Sequence, residues 1–332
     1  MSETTSAMRE FWPEPSRLAS ERVENFEVGD VAAVLNAIGF SAPHIGEITS
    51  HWREAQASNE WSALLAAGCT MVANDRGNID RPLLIWSDMD DQGDVGRLFY
   101  FYLAALCYDD TLAYLRAHAT PENVIDATMN ILLQHTATHE RKRGTLGFDA
   151  GWWSLLVWRA ELLAIGSLEF HHVNLGVGTL APEWYSDDDP HASLAGFRRG
   201  DSSVGIHIPQ GADLSRHALD RTFDEARGVL GETWPTNTRR LATCRSWMMD
   251  DRLLDSLRAD SNLVLFLRRF ELVPGVVDGD DDVVDFVFRL PGTALDDLPR
   301  RTSLERLVTS VLESGEHWYI RTGWFDFDRT SP

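Results

Sequence analysis

The chain nearly dispenses with lysine. Lys142 is the single lysine in 332 residues; the other basic residues are arginine. Schiff-base chemistry therefore has one candidate, and Lys142 sits in a charged run, His139-Glu140-Arg141-Lys142-Arg143, of the kind that faces solvent. A phosphate loop ending in Gly-Lys-Ser/Thr is missing, which excludes a P-loop NTPase. Cysteine is scarce too. Cys69, Cys107 and Cys244 are odd in number and far apart, so neither a disulfide framework nor a cysteine zinc site is expected. There is no run of about 18 apolar residues to span a membrane. Met1–Arg9 has neither an apolar core nor a small-residue cleavage pattern, so a cytoplasmic protein without a leader is expected. Positive charge is also in deficit. Lys+Arg is 30 against 51 Asp+Glu, a net charge of −21, which argues against nucleic acid or an anionic membrane as partner.

What is present is 44% hydrophobic and 10% aromatic, enough for a sizeable core without metal or disulfide staples. Residues 1–25 are polar and carry Pro13 and Pro15; they read as a loose arm. Residues 26–165 read as a helical domain. In 28–40, Val31, Val34, Leu35 and Ile38 fall at helical spacing, with Gly39 as the stop. Helices follow at 45–56, 61–73 and 98–117, with a loop over 74–96 in which 82–86 could extend. Thr120-Pro121-Glu122 restarts a helix, with Thr120 as cap and Pro121 in its first turn. Residues 152–165 read as a last helix, whose Trp152, Trp153 and Trp158 fit core packing. After Gly166 the pattern becomes mixed. Strands are expected at 167–173, 203–208, 241–247, 270–273, 283–288 and 318–327, and helices at 215–231, 251–257, 262–267 and 303–313. Residues 174–200 read as turns. The expected fold class is therefore α+β or α/β: a helical domain, then a mixed-sheet domain over 166–330.

Three segments could carry chemistry. The first runs Gly205-Ile206-His207-Ile208-Pro209-Gln210-Gly211-Ala212-Asp213-Leu214-Ser215, a strand, a turn and a helix start. A helix start offers unpaired N–H donors to an anion; alternatively, Ser215 or Asp213 simply caps it. His207 is a candidate general base or a structural histidine. In the second, Leu241–Trp247, alternation puts Cys244 and Ser246 on one face and Thr243, Arg245 and Trp247 on the other. Cys244 is either a nucleophile or an inert buried thiol. The third holds Glu169, His171 and His172. Glu169 and His171 share a face, but no third ligand shows and no metal is expected. The acidic clusters at 187–189 and 278–282 lack the calcium-loop ladder and read as solvated turns.

Taken in order and spacing, several short segments make the chain resemble a bacterial family of acyltransferase-domain proteins. In that family a helical N-acyltransferase-like domain precedes a GNAT-like one. The segments are Tyr114-Leu115-Arg116, Gly144-Thr145-Leu146-Gly147, Ile165-Gly166-Ser167-Leu168-Glu169-Phe170, His207-Ile208-Pro209-Gln210-Gly211, Cys244-Arg245-Ser246-Trp247, Ser261-Asn262-Leu263 and Leu298-Pro299 with Thr302-Ser303-Leu304. Ser167 and Glu169 stand where the family carries Arg and Gln. The resemblance implies an acyl-CoA or acetyl-CoA donor and a small-molecule or peptide amine acceptor. It implies that strands 203–208 and 241–247 splay around the pantetheine arm, with the pyrophosphate at the start of the helix that follows. On that view Ile208, Gln210, Gly211 and Ala212 hold the donor, although Gln210-Gly211-Ala212 does not reproduce the usual glycine-rich signature. His207 or Glu169 would take the amine proton, a backbone N–H near Ile208 would face the oxyanion, and Cys244 or Ser246 would protonate the leaving thiolate. The alternative is a GNAT-like scaffold without catalysis, acting as a ligand-binding or interaction protein.

Overall fold

The computed structural model describes residues 12–81, 89–175, 200–234, 240–290 and 292–328. The expectations for 1–9, 82–86 and 187–189, and most of the turns at 174–200, lie outside these. The chain divides into two compact units, Met1–Ala164 and Ile165–Pro332.

The first unit is built from helices: α1 (Arg17–Asn25), α2 (Val28–Ile38), α3 (Ala42–Ser50), α4 (Trp52–Ala57), α5 (Asn59–Asp75), α6 (Gly93–Ala117), α7 (Glu122–Arg143) and α8 (Ser154–Trp158). Its centre is α6. Every residue from Leu98 to Cys107 is buried, so this helix is apolar on all sides and the others pack around it. Trp52 packs against Tyr102 with the ring centres 5.2 Å apart and the planes tilted by 53°, and each satisfies its polar atom on a backbone carbonyl, Trp52 on Phe26 and Tyr102 on Ile48. Short polar side chains start the helices: Ser16, Ser41 and Ser58 each accept from a backbone N–H of the first turn. Gly39 ends α2 at φ +106°.

Two expectations in this unit need correction. α7 begins one residue later than expected, at Glu122, with Pro121 at the cap position rather than in the first turn. The helix expected over 152–165 is a 3-10 turn (Gly151–Trp153), the short α8, and then a strand, β1 (Leu162–Ile165). Ala160 at φ +57° breaks the helix. A short apolar run such as Leu162-Leu163-Ala164-Ile165 has no period that separates helix from strand.

The mixed sheet runs β1-β2-β3-β4-β6-β5, with β2 (Leu168–Asn174), β3 (Ser202–His207), β4 (Leu241–Ser246), β5 (Glu271–Asp278) and β6 (Tyr319–Asp326). The β3–β4 pair is parallel; β2–β3, β4–β6 and β5–β6 are antiparallel. The crossover between the parallel strands carries α9 (Arg216–Thr233). Its apolar side lies on one sheet face, where Phe223 meets Phe170 at 6.3 Å and Phe325 at 5.5 Å. After β4 come α10 (Arg252–Ser256) and α11 (Asn262–Leu267), and after β5 come α12 (Asp280–Phe288) and α13 (Ser303–Glu313). The strand expected at 283–288 is thus a helix. Its Val and Phe content suggests a strand, but Asp280, Asp281 and Asp282 crowd the positive end of the helix dipole and favour α12.

Candidate active site

The parallel pair places the site. The β3–β4 register holds only from Ser203 to Gly205 against Leu241 to Thr243. Beyond that, each strand continues on its outer partner: His207 pairs with Glu169 of β2, and Ser246 with Arg321 of β6. The two strands therefore part while both remain in the sheet. Backbone groups along the gap, from Ile206 to His207 and from Cys244 to Ser246, face each other without a shared ladder.

Alternation and register sort the side chains between the two faces. Glu169, His171, Gly205, His207, Thr243 and Arg245 share one face. The His171 and His207 rings lie 5.7 Å apart, and Gly205 is the register partner of His171. Glu169 and His171 are buried. The Nε2 of His207 is shielded from solvent. Burial, with His171 beside it, pulls the His207 imidazole down to about 3, so it is neutral at any physiological pH.

Cys244 and Ser246 lie on the opposite face, the α9 side, with Ile206, Phe170 and Phe325. The structure thus brings Glu169 and His207 together and separates both from Cys244 and Ser246. Burial lifts the Cys244 thiol to about 12, and Ser246 is spent on accepting from the Met248 N–H. Neither is placed to protonate a thiolate beside His207. His172 also lies on the α9 side. It stacks on Trp234 at 4.8 Å and meets the Ser202 hydroxyl at 3.0 Å. Burial lowers it to about 4.

After β3 the chain turns through Pro209–Ala212. The Ala212 N–H donates to the Pro209 carbonyl, and Gly211 takes φ +79°. Ile208 stands at the mouth of the gap, just past the last residue of β3. Of the two capping candidates Ser215 is the cap, accepting from the Ala218 N–H, while Asp213 accepts from the Ser215 N–H just ahead of the helix. That bond holds the exposed Asp213 carboxyl below its ordinary value. The next amides, Arg216 and His217, have no acceptor inside the helix by its geometry, and both residues are exposed.

Among the described residues, the group whose ligand atoms converge within 4.8 Å is Asp278, Asp280 and His317, not Glu169 with His171. His317 shares a 2.7 Å bond with Asp280, which also accepts from the Trp318 N–H. Sequence reading passed over Gly205 and Thr243, the last pair before the gap. Alternation along one strand does not reveal where a partner strand stops.

Comparisons with known proteins follow the same division. The N-acyltransferase N-terminal domain matches residues 29–160, and the GNAT-like C-terminal domain matches residues 162–325. No curated protein matches the chain. Similar solved structures include an acyltransferase in complex with decanoyl-CoA, 24% identical with a TM-score of 0.78. Another is an acyltransferase in complex with decanoyl-CoA and teicoplanin, 25% identical with a TM-score of 0.77. A third is an acyltransferase in complex with CoA and 10C-teicoplanin, 24% identical with a TM-score of 0.76. Each similarity covers 98% of this chain and 96% of the other.

Proposed function

This chain belongs to the two-domain acyltransferase family that joins an N-acyltransferase N-terminal domain to a GNAT-like C-terminal domain, and we propose that it moves an acyl group from a CoA thioester to the amine of a small molecule. The observation that carries the reading is the parting of β3 and β4 directly beside His207 and Glu169. A pantetheine arm is an extended chain with two amides. The unshared backbone edges of a parted parallel pair suit it as a third strand would. Two of the similar structures hold decanoyl-CoA, which favours a medium-length acyl chain as donor, and teicoplanin or 10C-teicoplanin in two of them favours a small-molecule acceptor.

In this reading the donor's pyrophosphate meets the turn of Ile208, Gln210, Gly211 and Ala212 and the exposed start of α9. There the helix dipole and Arg216 favour an anion, while Asp213 opposes it. The acceptor amine attacks the thioester carbon. The C–N bond forms, the carbonyl electrons move to oxygen, and a backbone N–H near Ile208 stabilises that oxygen. His207, neutral, accepts the amine proton, with Glu169 at the paired position to share it. Collapse of the intermediate breaks the C–S bond and releases CoA. The proton for the sulfur comes from the His207 side of the sheet, because Cys244 and Ser246 lie behind it.

Thermal melting with CoA, acetyl-CoA and decanoyl-CoA tests the donor. A ligand that binds only the folded chain raises Tm in step with its saturation. Decanoyl-CoA is expected to give the largest shift; no shift with any of them at about 1 mM overturns the reading. For the base, His207→Gln is expected to keep the decanoyl-CoA shift and lower kcat about 100-fold. Because His207 stays neutral above about pH 3, the acid limb of the wild-type rate profile is expected to follow the acceptor's ammonium rather than an imidazole.

A further inference from the structure

Cys69 of α5 and Cys107 of α6 take no part in the acyl-transfer reading, yet they meet. The two helices run close where Gly68 faces Leu103. A Cβ on Gly68 would come within 3.0 Å of a Leu103 methyl and 2.9 Å of the Trp12 ring. One turn further along α6, the Cys107 thiol donates to Cys69 with the sulfurs 4.0 Å apart. Both thiols are buried, Cys69 at 6% exposure and Cys107 at 2%. Arg22 of α1 lies over the pair. Its guanidinium donates to the Leu106 carbonyl at 2.9 Å and to Asp110 at 2.7 Å, and its positive charge reaches both sulfurs.

We propose that Cys69 and Cys107 form a dithiol modification site that closes to an intramolecular disulfide, pinning α5 to α6, on reaction with a small-molecule disulfide. Closure needs the sulfurs to move from 4.0 Å to about 2.05 Å, a travel that rotation of two cysteine side chains on facing helices can share. At rest, Cys107 alongside and burial keep the Cys69 thiol well above its ordinary value, so that thiol stays protonated. The thiolate that starts exchange forms under the Arg22 charge. It attacks one sulfur of the small disulfide, whose S–S bond breaks, and the expelled thiolate takes up a proton. The second cysteine, losing its own proton, attacks the mixed disulfide and expels the other half as a second thiol. Two protein thiols are oxidised and one small disulfide is reduced. Cys244 has no such neighbour and stays free.

The full-length protein is incubated natively with 2-hydroxyethyl disulfide and then denatured for thiol titration, mass spectrometry and peptide mapping. Free thiols are expected to fall from three to about one, with a loss of about 2 Da and a peptide joining Cys69 to Cys107. The cross-link closes a loop of about 40 residues and is expected to raise Tm by about 5 °C or more. Cys69→Ala and Cys107→Ala should each abolish the joined peptide. Three results overturn the proposal: all thiols surviving conditions that oxidise the denatured chain, stable mixed disulfides without a joined peptide, or a joined peptide only when denaturant is present.

Discussion

His172 and His207 show how little a residue type says before its surroundings are known. Both are half-buried imidazoles with lowered affinity for protons, on opposite faces of the same sheet. His207 lies beside the parted strands, where in the proposed reaction a neutral nitrogen would take the amine proton. His172 lies on the opposite face, where its task is to pack against Trp234. That task makes a measurable prediction. Folded His172 titrates at about 4 against 6.5 when free, so below pH 6.5 the unfolded chain binds a proton that the folded chain refuses. Its stabilising contribution is complete above pH 6.5 and drains away as pH falls toward 4. Urea unfolding of wild type and His172→Gln at several pH values should show the variant losing less stability on acidification. The difference in slope should be about 1.4 kcal/mol per pH unit between about pH 6 and 4.5. Cys244 teaches the same lesson. Its strand and face were readable from alternation, but the burial that lifts its thiol to about 12 is supplied by other elements and leaves no trace in Leu241–Trp247.

At the scale of elements, the parts with local causes were legible. Gly39 ends α2 and Ser215 caps α9. The misread elements are those whose composition competes with an end effect: Val283–Phe288, helical through its three leading aspartates, and Leu162–Ile165, too short for a period. Gly166 links two elements in a way sequence could only hint at. It turns between β1 and β2 at φ +58°, and a Cβ there would lie 2.2 Å from the Thr222 hydroxyl of α9. That hydroxyl accepts from the Ser167 N–H at 3.1 Å, tying the turn to the helix. Gly166→Ala is expected to cost about 2–4 kcal/mol in chemical unfolding, from left-handed strain plus overlap. A loss below about 0.5 kcal/mol would show that the turn is not held against α9.

At the scale of the molecule, charge is the property that sequence states most directly. A net charge of −21 repels a CoA thioester at long range, while in the proposed function the start of α9 with Arg216 would attract it at short range. Salt screens the distant charges first. The kcat/KM for decanoyl-CoA is therefore expected to rise about twofold as ionic strength goes from about 10 to 150 mM. A fall over that range would mean that the local basic groups govern donor capture.

Most of the order of helices and strands, the net negative charge, the ends marked by Gly39 and Ser215 and the division into a helical half and a mixed half follow from sequence, because each depends on residues within a few positions of one another or on simple sums. The register that stops at Gly205 and Thr243, the face that joins Glu169 to His207 and excludes Cys244, and the meeting of Cys69 with Cys107 do not. These depend on which strands and helices become neighbours across tens of residues. That choice is made by the packing of the whole chain, and the chemistry of the site waits on it.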